Sequence, residues 1–423
     1  QLKNALGSIL TTGGATIVLS ANGSAVISAL TDNGNGTYTA TVTNTVEEDI
    51  TISGTLNGSA ITDTATMTFN TEDFNNWNYS APITLDTTSS GANVSTTQTN
   101  FPVLIRITDA NKPDTDFWGS GTLDAGDDIR FSLSSDISQQ LPYTIERWDN
   151  TNKIAEIWVL VDSVAGNTTS NYLTMHWGKT DAVDASNSES VFTAANGFEA
   201  VWHLGEDGNT TASGYADATS NSHDGTGTSM SAVSDVTGMI GKAQYFDGSG
   251  DYIQTSTITH SIGTGDFVMS AWVNADRLSN SYEPILANKS FSPGMYAKLQ
   301  GNGWGGYWGG NQAASSTLST DIWYHLVMVR NAGTLNFYRD GVIEPGSSAV
   351  ATSMADGVFS IGQNGTGQFF YQGEIDEVRF SSVLRSADWI KLSYENQKAA
   401  DSLVTLLNSV STVHTNISKN INN

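Results

Sequence analysis

The run Glu374-Ile375-Asp376-Glu377-Val378-Arg379 places three carboxylates and a guanidinium within one short stretch. Strand side chains alternate between faces, so Glu374 and Asp376 are expected to share one. Two carboxyls held about 5 Å apart are what a retaining glycosidase needs, one as nucleophile and one as proton donor. A different chemistry is suggested by HLGEDGNTTASGYADATSNSHDG (203–225), which carries Glu206, Asp207, Asp217, Asn221 and Asp224 on a stretch too polar for a core. Ca²⁺ takes roughly six to eight oxygens, commonly offered by such loops. The alternative is a solvated acidic loop closed by Asx turns. His203 and His223 lie in the same stretch, but without Cys or a tight His pair they do not point to zinc. A third chemistry is stacking. In GMYAKLQGNGWGGYWGGNQ (294–312), Trp304 and Trp308 would share one strand face and Tyr307 the other. Flat rings between glycines suit a sugar ring, with Asn302, Asn311 and Gln312 at hand for hydroxyls. The competing reading packs Trp304 or Trp308 into a core. Asp247 and Asp251, in FDGSGDYI, are explained by a tight turn.

The elements that must position these residues are strands. KAQYFDGSGDYIQ (242–254), DFVMSAWVNAD (266–276), IWYHLVMVRN (322–331), GTLNFYRDGV (333–342) and GEIDEVRF (373–380) alternate apolar and polar residues, with Gly, Asp and Asn between them. In this order the runs resemble the LamG-like jellyroll of the concanavalin A-type lectin/glucanase fold over about residues 198–397, a fold that serves lectins, adhesion modules and hydrolases alike. The resemblance implies more about the loop. Asp217 and Asn221 match a characteristic first loop of LamG-like domains, and jellyroll modules commonly hold calcium where that loop meets the last strand. Glu206, Asp217, Asn221 and Asp376 are therefore the expected calcium ligands. Residues 374–379 also resemble the catalytic strand of family 16 glycoside hydrolases, but the acid/base position falls on Arg379 or Val378. Without a proton donor there, no hydrolase is expected.

Before the jellyroll, residues 1–70 read as short strands. TDNGNGTYTATVTN carries an Asn-Gly pair ahead of alternating Tyr38, Ala40 and Val42, a hairpin signal. The segment resembles bacterial Ig-like domains of the invasin/intimin type. One or two opening strands of that pattern are missing, through truncation or because a neighbouring copy supplies them. Residues 77–190 hold WNYSAPITLD, FPVLIRITD, LPYTIERWD, AEIWVLVDSV and NYLTMHWGK, which resemble the domain of unknown function 2341 and imply a further β-sandwich. Trp77, Trp148, Trp158 and Trp177 fit its core better than a sugar platform. SADWIKLSYENQ reads as a short helix, and residues 398–423 as a tail or the start of another segment.

The chain of 423 residues carries 43 acidic against 18 basic residues, a net charge of −25, and no Cys. That charge argues against nucleic acid and anionic membranes as partners, and no apolar run is long enough to span a membrane. The opening QLKNALGS lacks the basic n-region and apolar core of a signal peptide, so either a removed leader or a piece of a longer protein is expected. The expectation is an all-β chain, with an Ig-like sandwich, a second sandwich and a jellyroll in series. It would serve as an extracellular or cell-surface adhesion module that binds a glycan or cell-surface ligand, stabilised by calcium. A structural spacer and an ancillary part of a polysaccharide-degrading enzyme are the alternatives.

Overall fold

A computed structural model of the chain describes residues 11–44, 48–62, 64–69, 74, 77–258, 265–278, 283–288, 296–300, 303–307, 311–349, 356–364, 367, 369–408 and 410–411. It is all-β, and every pairing is antiparallel. Two compact units are present, Gln1–Phe74 and Asn75–Asn423.

In the first unit, Glu48–Leu56 lies between Ile17–Ala21 on one side and Ser59–Ala60 with Ala65–Phe69 on the other. The Asn-Gly hairpin is present, with Thr31 opposite Thr39 and Asp32 opposite Tyr38. The apolar run 24–32 forms two separate short strands, Val26–Ile27 and Thr31–Asp32. Ile50 and Phe74 are the buried hydrophobics among the described residues of this unit.

The second unit holds two lobes. In the sandwich lobe, a sheet of Gln98–Thr108, Ile154–Val164 and Tyr143–Asp149 faces a six-stranded sheet. Residues such as Ile83, Val103, Ile105, Phe131, Val159 and Met175, which alternate inward, fill the space between them. Trp77, Trp158 and Trp177 are buried and Trp148 packs against this core. The six-stranded sheet takes a strand from the far end of the chain: Val404–Leu406 pairs with Tyr79–Leu85, from within the segment expected as a tail.

The jellyroll lobe packs a nine-stranded sheet against a seven-stranded one. Trp202, Phe246, Met269, Phe337, Phe359 and Phe380 are among the side chains between them. The helix Ala387–Gln397 lies between the lobes, with Ile390 against Val268 and Val327 of the jellyroll and Leu392 in the sandwich core. Ser386 caps its start, accepting from Trp389 N at 2.9 Å while donating to Gln98 of the sandwich at 2.8 Å. At its other end the Asn396 amide bonds both Leu104 N (2.7 Å) and Leu104 O (2.9 Å), closing the free edge of the strand Gln98–Thr108. The Arg106 guanidinium donates to the carbonyls of Asn396, Gln397 and Lys398, the C-terminal groups a helix leaves without partners.

Candidate functional site

Each residue expected to bind calcium has a structural occupation. Asp217 accepts four hydrogen bonds, from Val201 N (2.9 Å), Thr219 N (3.0 Å), Thr219 Oγ1 (2.8 Å) and His223 N (2.9 Å). Asn221 donates to the carbonyls of Phe198 (3.3 Å) and Glu199 (2.9 Å). Glu206 accepts from Ala216 N at 2.8 Å, and burial pushes its carboxyl above the usual range. Asp376 is fully buried and accepts from Ile240 N at 2.9 Å. Burial first, then the neighbouring Glu377, holds its carboxyl well above the usual range. Glu206, Asp217 and Asp376 do not converge. Among the described residues, the one group of three acidic, His or Cys ligands within reach of a common ion lies elsewhere. The loop expected to hold calcium is closed by carboxylates bonded to its own backbone.

Of the expected aromatic platform, the side chain of Trp304 is described. Trp304 is 2% exposed, packs edge-to-face on Phe337 across the jellyroll core at 5.3 Å, and donates from Nε1 to Glu344 at 3.2 Å. It is a core ring. Tyr307 and Asn311 lie opposite each other on paired strands, with side chains outside the described residues, and Trp308 lies outside them altogether.

What the fold gathers instead is a buried set of charges between the lobes. The strand Gln372–Ser381 supplies Glu377 through a β-bulge: Ser270 pairs with Arg379 and Trp272 with Asp376, so Glu377 and Val378 together face Ala271. Glu377 takes φ +51, a left-handed conformation uncommon for a non-glycine residue. The bulge lets Asp376, Glu377 and Arg379 all reach the inter-lobe side while Ile375, Val378 and Phe380 enter the jellyroll core. Glu146, from the sandwich strand Tyr143–Asp149, sits at a second bulge, unpaired between Ile145 opposite Ile157 and Arg147 opposite Glu156. His203 follows the strand Phe198–Trp202, whose Val201 pairs with Arg379.

These three meet. His203 Nδ1 lies 2.5 Å from Glu377 Oε1 and 3.4 Å from Glu146 Oε2, and the ligand atoms of the trio all fall within 4.8 Å of one another. Trp158 Nε1 donates to Glu146 Oε2 at 2.5 Å, and Arg379 holds Glu377 Oε2 at 2.5 and 3.1 Å. The Arg379 guanidinium also lies over Trp158, 4.6 Å from the ring centroid. Glu156 completes the set, pairing with Arg106 (3.0 Å) and Arg147 (2.9 Å) and accepting from Gly241 N of the jellyroll at 2.6 Å. Burial alone would discharge His203, but Glu377 and Glu146 outweigh it and raise its pKa to about 9. Burial likewise opposes the Glu377 charge, which His203 and Arg379 sustain at a pKa of about 2. Glu146, with burial and Glu377 against its charge, stands well above the usual range. Glu377 and Arg379 lie in the run 374–379 singled out in the sequence, whereas Glu146 comes from a distant strand and no local motif signals it.

Three family models match the chain in series. Residues 1–72 match invasin domain 3, residues 125–205 the domain of unknown function 2341, and residues 247–391 the concanavalin A-like lectin/glucanases superfamily. No curated protein matches the chain. Among solved structures, domain 4 of an extracellular arabinanase from Geobacillus stearothermophilus, in complex with arabinotriose, is 18% identical over 46% of this chain and 97% of its own, with a TM-score of 0.37. The botulinum neurotoxin serotype D binding domain is 15% identical over 48% of this chain and 52% of its own, at 0.38. The binding domain of Paraclostridial mosquitocidal protein 1 is 14% identical over 46% and 52%, at 0.35. The matches span about half the length of the neurotoxin and mosquitocidal chains. At such TM-scores these likenesses carry no argument about function.

Proposed function

We propose that the chain is a binding module of an extracellular or cell-surface protein, whose jellyroll lobe recognises a glycan or another cell-surface ligand without cleaving it. The observation that carries this reading is the match of residues 247–391 to a superfamily of lectins and glucanases. The catalytic alternative within that superfamily is disfavoured by Asp376. A glycosidase carboxylate must meet its substrate, whereas Asp376 is fully buried beneath the 238–241 turn and bonded to Ile240 N. Invasin-type and LamG-like segments in one chain, with no helix long and apolar enough to cross a membrane among the described residues, fit an extracellular setting.

The test is a panel of immobilised glycans probed with the whole chain, alongside an assay for released reducing ends. The reading expects saturable retention on some glycans, competed by the same sugar in solution, with no reducing ends released. Trp308→Ala would weaken that retention. Release of reducing ends would make the chain an enzyme. A correctly folded chain retained by nothing on the panel would favour a structural spacer.

A further inference from the structure

We propose that Glu146, His203 and Glu377 form a site for one divalent transition-metal ion, zinc by preference, which joins the sandwich lobe to the jellyroll lobe. The inference is independent of the glycan reading. Its ground is convergence: one imidazole nitrogen and two carboxylates, from three separate stretches of chain and both lobes, bring ligand atoms within 4.8 Å of one another. The backing of the two carboxylates is that of metal ligands. Trp158 Nε1 bonds Oε2 of Glu146 and Arg379 bonds Oε2 of Glu377, so a neighbour holds each carboxylate in place.

A second observation points to a missing cation. Glu146, with its side chain 6% exposed, keeps Oε1 buried and without a hydrogen-bond partner. A buried carboxylate oxygen left unbonded is costly, and a cation held by the trio would satisfy it. The donor set selects the ion. An imidazole nitrogen suits a transition metal better than Ca²⁺ or Mg²⁺, which prefer all-oxygen shells. With no thiolate to favour softer ions, and with zinc above manganese and iron in affinity, zinc is the choice. Trp158 and Phe192, both packed against the His203 ring, wall the site from solvent.

The whole chain, stripped with a chelator and dialysed, would be titrated with Zn²⁺ in excess Mg²⁺, so that weak binding by surface carboxylates is masked. Calorimetry and thermal melts supply the readouts. One equivalent should bind saturably, and the melting temperature should rise with Zn²⁺ concentration, because only the folded chain assembles the ligands. Glu146→Gln and His203→Asn should each weaken uptake by about tenfold or more while leaving the metal-free circular dichroism unchanged. No saturable uptake by the parent chain overturns the proposal whatever the variants do. Uptake undiminished in both variants also overturns it, by placing the ion elsewhere.

Discussion

The loop at 203–225 and the inter-lobe charge set use the same residue types to opposite ends. In the loop, acidic residues lie close together in sequence and are kept apart in space by their own backbone. Asp217 alone receives three backbone N–H groups and a hydroxyl. Between the lobes, residues separated by most of the domain are drawn together by strand pairing and two bulges. Acidic clustering in a chain is thus first a turn-forming device. Ligand-like convergence is a property of long-range register.

Breaking the gathered region should cost most. Arg379→Leu removes one of the two cationic partners of Glu377, leaving His203 alone to offset a buried charge beside Glu146 and Asp376, and breaking such a buried pair typically costs about 3–5 kcal/mol. The denaturant midpoint of the second unit reports it. A shift equivalent to less than about 1 kcal/mol would mean that His203, not Arg379, sustains the Glu377 charge. Asp217→Ala comes next. It strips acceptors from three backbone N–H groups, so a loss of about 2–4 kcal/mol is expected, equal in calcium and in chelator. A loss seen only in calcium would make the loop a metal site after all and erase the contrast.

The same contrast explains what could be seen beforehand. Period-two runs marked the jellyroll strands at 242–254, 266–276, 322–331 and 373–380, and Asn-Gly marked the hairpin after Asp32, because both signals are local. Trp304 looked like a platform because glycines flank it. The pairing with 311–317 and the cross-core contact with Phe337 that bury it involve residues the local pattern does not relate to it. Alternation fails at Glu146 and Glu377 because each occupies a bulge, where the register slips and side chains change faces. Val404–Leu406 was invisible for another reason. Three residues are too few to show a period, and their partner strand begins at Tyr79, near the other end of the unit.

The most gradual effect separates the regions by pH. His176 and His325 lie outside the trio, and burial holds their pKa values down to about 4 and about 3, Arg379 adding to the latter. Both folded values lie below the ordinary 6.5, so the unfolded chain binds more protons once the pH falls below that point. The contribution of these two histidines is therefore complete above pH 6.5 and declines on acidification, by about 1.4 kcal/mol per pH unit for each. Glu206 in the loop acts in the opposite sense. Its raised pKa means the folded form holds its proton longer, so its contribution weakens as pH rises. Urea titrations from pH 7 downward in chelator should show the acid limb, and His325→Gln should remove about half its slope. A limb that is untouched by His325→Gln and by His176→Gln would have to arise from carboxylates held below their usual range, such as Glu377 between the lobes or Asp86, Asp247 and Asp388 elsewhere in the second unit, because Glu206, Glu146 and Asp376 have the wrong sign.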